Sequence, residues 1–197
     1  SLVRDIKSEA KASSNPAWLT NVSGTLFFTA TDPTTGGELW KSNGTSGGTV
    51  RVKDIRTGTT GSGIENMIAV NGTLMFTAHD GIHGDELWKS DGTSAGTMLV
   101  KDMNPGGGGS NSTRGHGLPM SNFNNINGLL YFIAAKGVSD YVYRSDGTAA
   151  GTFILQPAYG AGLNALFPSF TYLNGNVFYF NSTTYTDYYG TIKLWKM

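Results

Sequence analysis

The chain has no cysteine among its 197 residues, so neither a disulfide framework nor thiolate chemistry is open to it. Charge is scarce: Asp, Glu, Lys and Arg make up 14% of the residues, and 14 basic groups balance 14 acidic ones. That balance gives no electrostatic attraction for nucleic acid or an anionic membrane, and neither is expected as a partner. No apolar run approaches the roughly 18–20 residues that a bilayer-spanning helix needs, so no membrane insertion is expected either. Helical patterning is also missing, since no stretch repeats its apolar residues at a 3.6-residue period. The chain opens on Ser1 with no signal-peptide pattern, which leads us to expect a removed leader or an excised piece of a longer protein.

What is plentiful is glycine, 28 residues, together with Thr, Ser and Asn, as many short strands joined by tight turns require. The stretch "ELWKSNGTSGGTVRVKD" (38–54) returns as "ELWKSDGTSAGTMLVKD" (86–102), as "YVYRSDGTAAGTFIL" (141–155) and, shortened, as "IKLWKM" (192–197). Upstream of each lies a second shared block: "NVSGTLFFTA" (21–30), "AVNGTLMFTA" (69–78), "NINGLLYFIA" (125–134) and "YLNGNVFYFN" (172–181). Trp40, Trp88, Tyr143 and Trp195 mark the same point of each copy, at intervals of about 50 residues.

In the second copy, strand a is Asn66–Val70, strand b Thr73–His79, strand c Asp85–Ser90 and strand d Thr97–Met103. Asn71-Gly72 suits a type I′ hairpin turn, because both residues tolerate positive φ. Four antiparallel strands in a unit of this size is the arithmetic of a propeller blade. The fold expected is therefore all-β: a single four-bladed β-propeller of four-stranded antiparallel blades, with repeats over 17–55, 65–103, 121–157 and 169–197. The fourth repeat stops after strand c, and "SLVRDI" (1–6) matches the d strands "TVRVKDI" and "TMLVKDM". Residues 1–6 are expected to complete the last blade, which would remove an open edge.

The pattern ELW-x-S-D/N-G-T-x-x-G-T-x-x-V-K-D resembles the ELWxxDGT repeat that occurs in tandem in large secreted or surface proteins of bacteria. The motif is strong in the first two copies, weaker in the third, where Tyr141 and Tyr143 replace Glu and Trp, and vestigial in the fourth. The resemblance implies a secreted or cell-surface location more than an activity. In size and blade number the chain is also similar to a hemopexin domain, with no sequence match to one.

The repeated Trp and Tyr rings are expected to pack between blades, where they supply large buried area. Glu38 and Glu86 are expected to pair across strands with Lys41 and Lys89. The metal candidate is "HDGIHGDE" (79–86), which offers His79, Asp80, His83 and Asp85 to zinc or another divalent ion. Asp32, Asp80 and Asp140 are calcium candidates without a D-x-D-x-D-G loop to support them. A second cation position is the propeller axis, near Trp18, Met67, Phe123 and Phe170. The Gly-rich stretch "NPGGGGSNSTRGHG" (104–117) lacks a phosphate-loop pattern and is expected to be a flexible blade-to-blade connection, whose extra length suits it to variable recognition through Arg114 and His116. Loop aromatics Trp18, Tyr159, Tyr185, Tyr188 and Tyr189 complete the candidate binding residues. N-x-S/T sequons stand at Asn21, Asn43, Asn71, Asn111 and Asn181.

No G-x-S-x-G or triad pattern is visible. The expected function is a non-catalytic binding, adhesion or structural module acting on a surface protein or glycan, capable of self-association into a longer array. A carbohydrate-binding lectin is the first alternative, and a metal-binding or hydrolytic propeller enzyme the second.

Overall fold

The computed structural model describes residues 1–7, 13–103, 105, 120–136, 139–158, 170–182 and 192–196. Its regular elements among these residues are all strands. The first sheet is β1 (Ala17–Val22), β2 (Thr25–Asp32), β3 (Gly36–Ser42) and β4 (Val50–Lys53), in that spatial order. The second repeats the order with β5 (Glu65–Val70), β6 (Thr73–His79), β7 (Asp85–Ser90) and β8 (Met98–Lys101). The third comprises β9 (Ser121–Ile126), β10 (Leu129–Lys136), β11 (Ser139–Ser145) and β12 (Phe153–Ala158). The fourth has three strands, β13 (Thr171–Leu173), β14 (Asn176–Ser182) and β15 (Ile192–Lys196). The ladders of the first, third and fourth sheets, and those joining β5, β6 and β7 in the second, are antiparallel. The strands expected at 73–79 and 85–90 coincide with β6 and β7. The outer strand expected at residues 1–6 is not formed: residues 1–7 carry no strand, and β15 stands at the end of the order β13-β14-β15 among the described residues.

Local chemistry explains the hairpins. Each first strand turns into the second through two residues of positive φ: Ser23-Gly24 (50°, 87°), Asn71-Gly72 (48°, 74°), Asn127-Gly128 (50°, 78°) and Asn174-Gly175 (49°, 83°). Both central residues of a type I′ turn take that conformation, and its twist matches the strands it joins. Register then places one aromatic of the second strand opposite the repeat aromatic of the third: Phe28 faces Trp40, Phe76 faces Trp88, and Phe132 faces Tyr143.

The chain divides into two compact units, Ser1–Val100 and Lys101–Met197. In the first, Trp88 is buried with Val22, Phe27, Leu39 and Val52 of one sheet and Leu74, Phe76 and Ala78 of the other. Trp40 is buried with Phe28 and Ala30, and Ile6 packs against this group. In the second unit, Ile126, Tyr131, Val142, Phe170, Val177 and Tyr179 form one core cluster. There Phe132 and Tyr143 stack, with ring centroids 5.4 Å apart. The repeat aromatics Trp40, Trp88 and Tyr143 are thus core residues, as their spacing implied. The side chain of Trp195 lies outside the described set.

Candidate functional site

The S-[DN]-G-T-x-x-G-T signature forms a closed hydrogen-bond network in three copies. In the second sheet, Asp91 Oδ1 accepts from the Thr93 amide (2.8 Å) and hydroxyl (2.7 Å), and Thr93 Oγ1 accepts from the Gly96 amide (2.9 Å). Thr97 Oγ1 donates to the Thr93 carbonyl at 2.7 Å and lies 2.7 Å from Ser90 Oγ, which accepts from the Gly92 amide at 3.0 Å. Asn43 with Thr45, and Asp146 with Thr148, repeat the arrangement. The second glycine of the motif is required by space, because a Cβ at Gly48, Gly96 or Gly151 would collide with the side chain of Asn43, Asp91 or Asp146. Hydrogen bonds from the Thr93 hydroxyl and amide lower the pKa of Asp91, and those from Thr148 do the same for Asp146.

A cation four residues past the final Thr of the first two networks carries the next link. Lys53 Nζ donates to the Thr97 carbonyl at 2.7 Å, and Lys101 Nζ to the Thr152 carbonyl at 2.6 Å. Arg4 makes the corresponding bond to the Thr49 carbonyl at 2.7 Å. Lys41 reaches the Gly92 carbonyl at 2.8 Å.

That bond corrects the expected Glu38–Lys41 pair. Glu38 is wholly buried and points the other way, into the segment that follows β4. Its Oε2 accepts from the Ile55 amide (3.0 Å) and the Ser62 hydroxyl (2.7 Å), and Oε1 from the Arg56 amide (3.5 Å). Ser62 in turn donates its amide to the Gly37 carbonyl (3.0 Å) and accepts from the His79 amide (2.8 Å), so the carboxylate anchors a clasp between β3 and β6. Burial pushes the Glu38 carboxyl from 4.5 up to about 7, with Asp54 adding to the rise and the three donors opposing it. Because the native state holds this proton more tightly than the unfolded chain, stability falls as pH rises from about 4.5 to 7. The loss is on the order of 3 kcal/mol. Denaturant unfolding at pH 5 and pH 7.5 should therefore show the protein more stable at the lower pH, with Glu38→Gln flattening the slope. An unchanged slope in that variant would remove Glu38 as its origin.

The calcium and metal candidates fill turn positions. Asp32 Oδ1 accepts from the Thr34 amide (2.8 Å), and Oδ2 pairs with Arg51 at 2.7 Å. Burial works against its charge, but the hydrogen bonds from Thr34 and Thr35 outweigh it and hold the carboxyl well below the usual carboxylate range. Asp80, its equivalent, accepts from the Ile82 and His83 amides (both 2.8 Å) and meets His83 Nδ1 at 2.6 Å. His79 Nδ1 accepts from the Gly81 amide at 2.7 Å. Of the four metal candidates, Asp80 and His83 are thus joined by a hydrogen bond, while His79 caps its own turn and Asp85 begins β7. Among the described residues, no group of three or more His, Asp or Glu side chains is placed to hold a metal ion. The side chain of Asp140 lies outside the described set.

Trp18 stands apart. It is a bulge residue of β1, where the pairing with β2 slips between Ala17 and Thr20, and its φ is +54°. Asn66 and Asn122 occupy the same bulge in β5 and β9 with φ of +55° and +56°. Asparagine visits this left-handed region readily, whereas a bulky side chain there is strained. Trp18 is 45% exposed and Leu19 67%. The candidate axis residues Met67 and Phe170 pack into the two cores, and Phe123 lies against Phe132. The other candidate binding residues, Arg114, His116, Tyr159, Tyr185, Tyr188 and Tyr189, lie outside the described residues.

Sequence reasoning missed the bulge that unites Trp18 with Asn66. The signal was present: aligning "AWLTNV", "ENMIAV" and "SNFNNI" puts one Trp where two copies have Asn.

No family model matches the chain, and no curated protein matches it. Among solved structures, a puromycin hydrolase mutant complexed with PGG is similar over 96% of this chain, with a TM-score of 0.53 and 14% identity. The chain spans only 27% of that hydrolase. The computationally designed Ika4 protein is matched over 97% of this chain and 96% of its own, at a TM-score of 0.43 and 16% identity. At these identities a likeness speaks for fold alone.

Proposed function

We propose that the four sheets are the blades of a four-bladed β-propeller of the ELWxxDGT type, and that the protein is a secreted or surface-exposed binding module rather than a catalyst. One observation carries this reading: the repeat motif's own polar side chains are spent on its turn. Asp91, Thr93, Ser90 and Thr97 satisfy one another, as do their counterparts around Asn43 and Asp146. A motif consumed in this way supplies a scaffold, and recognition then falls to positions that differ between copies.

Adhesive modules gain strength from number. Linking two copies through a flexible spacer should raise retention on immobilised polysaccharides and extracellular polypeptides about a hundredfold over the single protein. No retention of either form on any surface would defeat the binding reading, and release of soluble fragments from the polymer would replace it with an enzymatic one.

A lectin is the second reading, favoured by Trp18. An exposed aromatic ring is suited to sugars, whose rings have both C–H faces and hydroxyl edges.

A further inference from the structure

We infer that Trp18 is the stacking platform of a carbohydrate site at the β1 bulge, taking the apolar face of an uncharged pyranose ring. The inference rests on the binding-module reading and names the ligand class and the residue.

The first support is conformational. The bulge recurs in three sheets, and in two of them the left-handed position is filled by asparagine. In the first sheet a tryptophan holds the same φ of +54° at a conformational cost that an asparagine would avoid. Packing does not account for it, because Trp18 is 45% exposed whereas the core tryptophans Trp40 and Trp88 are 6% exposed. Two hydroxyls hold the backbone on either side of the ring: Thr29 donates to the Ala17 carbonyl at 3.3 Å, and Thr20 to the Trp18 carbonyl at 3.1 Å. The backbone that carries the indole is therefore strained and tied down, and the residue is open to solvent.

The second support is the chemistry around it. Within the first unit β1 runs beside β5, where Thr20 Oγ1 lies 3.5 Å from the Met67 carbonyl. Asn66 occupies on β5 the bulge position that Trp18 occupies on β1. β1 has no ionisable residue, and β5 has only Glu65. An aromatic face, an amide at the matching position of the neighbouring strand and almost no charge complement a ligand that is itself uncharged, apolar on its ring face and rich in hydroxyls. Neither β1 nor β5 offers a cation to a charged oligosaccharide or a nucleotide.

The test uses the whole protein and its Trp18→Asn variant on a printed array of neutral oligosaccharides of hexoses and N-acetylhexosamines. Bound sugars are then titrated calorimetrically. The native protein should bind one or more neutral glycans, and the variant should lose at least about tenfold in affinity. Thermal melting separates a ligand-facing ring from a packing ring: the variant should melt about 2–4 °C higher, because asparagine relieves the left-handed strain. A variant that melts lower, or that binds sugar as well as the native protein, would overturn the inference. A native protein that ignores every neutral glycan yet is retained by polypeptide surfaces would overturn the sugar site and leave the binding module standing.

Discussion

Replacing Trp88 by alanine should cost about 3–5 kcal/mol of stability, among the largest losses available to a single substitution in this chain. The ring is buried among side chains from both sheets of the first unit, so its removal opens a cavity that neither sheet can close alone. Its indole nitrogen is buried without a hydrogen-bond partner, and so is that of Trp40. No hydrogen bond is therefore lost with the ring, and the penalty is one of packing and transfer. It follows that Trp88→Phe, which keeps much of the volume and deletes the unpaired donor, should cost less than about 2 kcal/mol. Urea unfolding of the two variants checks the pair. A loss under about 1 kcal/mol for alanine would mean the ring is not a core element at all.

Gly36→Ala should be nearly as damaging, by more than about 3 kcal/mol, for a different reason. Gly36 has a φ of +72°, and a Cβ there would stand 2.5 Å from the Thr59 carbonyl and 2.6 Å from the Gly61 amide nitrogen. Both neighbours are backbone and cannot rotate away, so the clasp carrying Ser62 and Glu38 must shift as a whole. Gly37→Ala supplies the control. Its added Cβ meets only Thr31 Oγ1 at 3.5 Å, an ordinary contact, and its expected loss is below about 1 kcal/mol. Equal losses at the two positions would refute the close-approach argument.

These two sites differ in how far the sequence discloses them. Trp88 was legible as core because its neighbours repeat: an aromatic on each second strand faces an aromatic on each third, and Asn-Gly pairs set that register. Gly36 was not legible, since the segment that crowds it, around Thr59 and Gly61, belongs to no repeat and has no periodicity. The same gap explains Glu38. Its charge suggested a lysine across the strand, but its partners are main-chain amides and a serine further along, which no pattern of side chains announces. Trp18 was legible as a candidate because it is an aromatic in or near a loop. Its strain was not, because a bulge is a property of the ladder between two strands and becomes visible only when both are in place.

The spatial order of the sheets bears on how the chain reaches its native state. In each sheet every strand pairs with its neighbour in sequence: β5-β6-β7-β8 arises from Glu65–Lys101 alone, with no strand borrowed from elsewhere. All-β folds are ordinarily slow because distant segments must meet before they gain anything, whereas here each ladder closes over a short loop. Hairpins of this kind form in about 1–10 μs, so in the first unit the step expected to limit folding is the docking of its two finished sheets, where Trp88 and its neighbours are buried. Trp88→Ala should consequently slow folding in a stopped-flow experiment, while Gly36→Ala, whose crowding arises only once the clasp is in place, should chiefly accelerate unfolding.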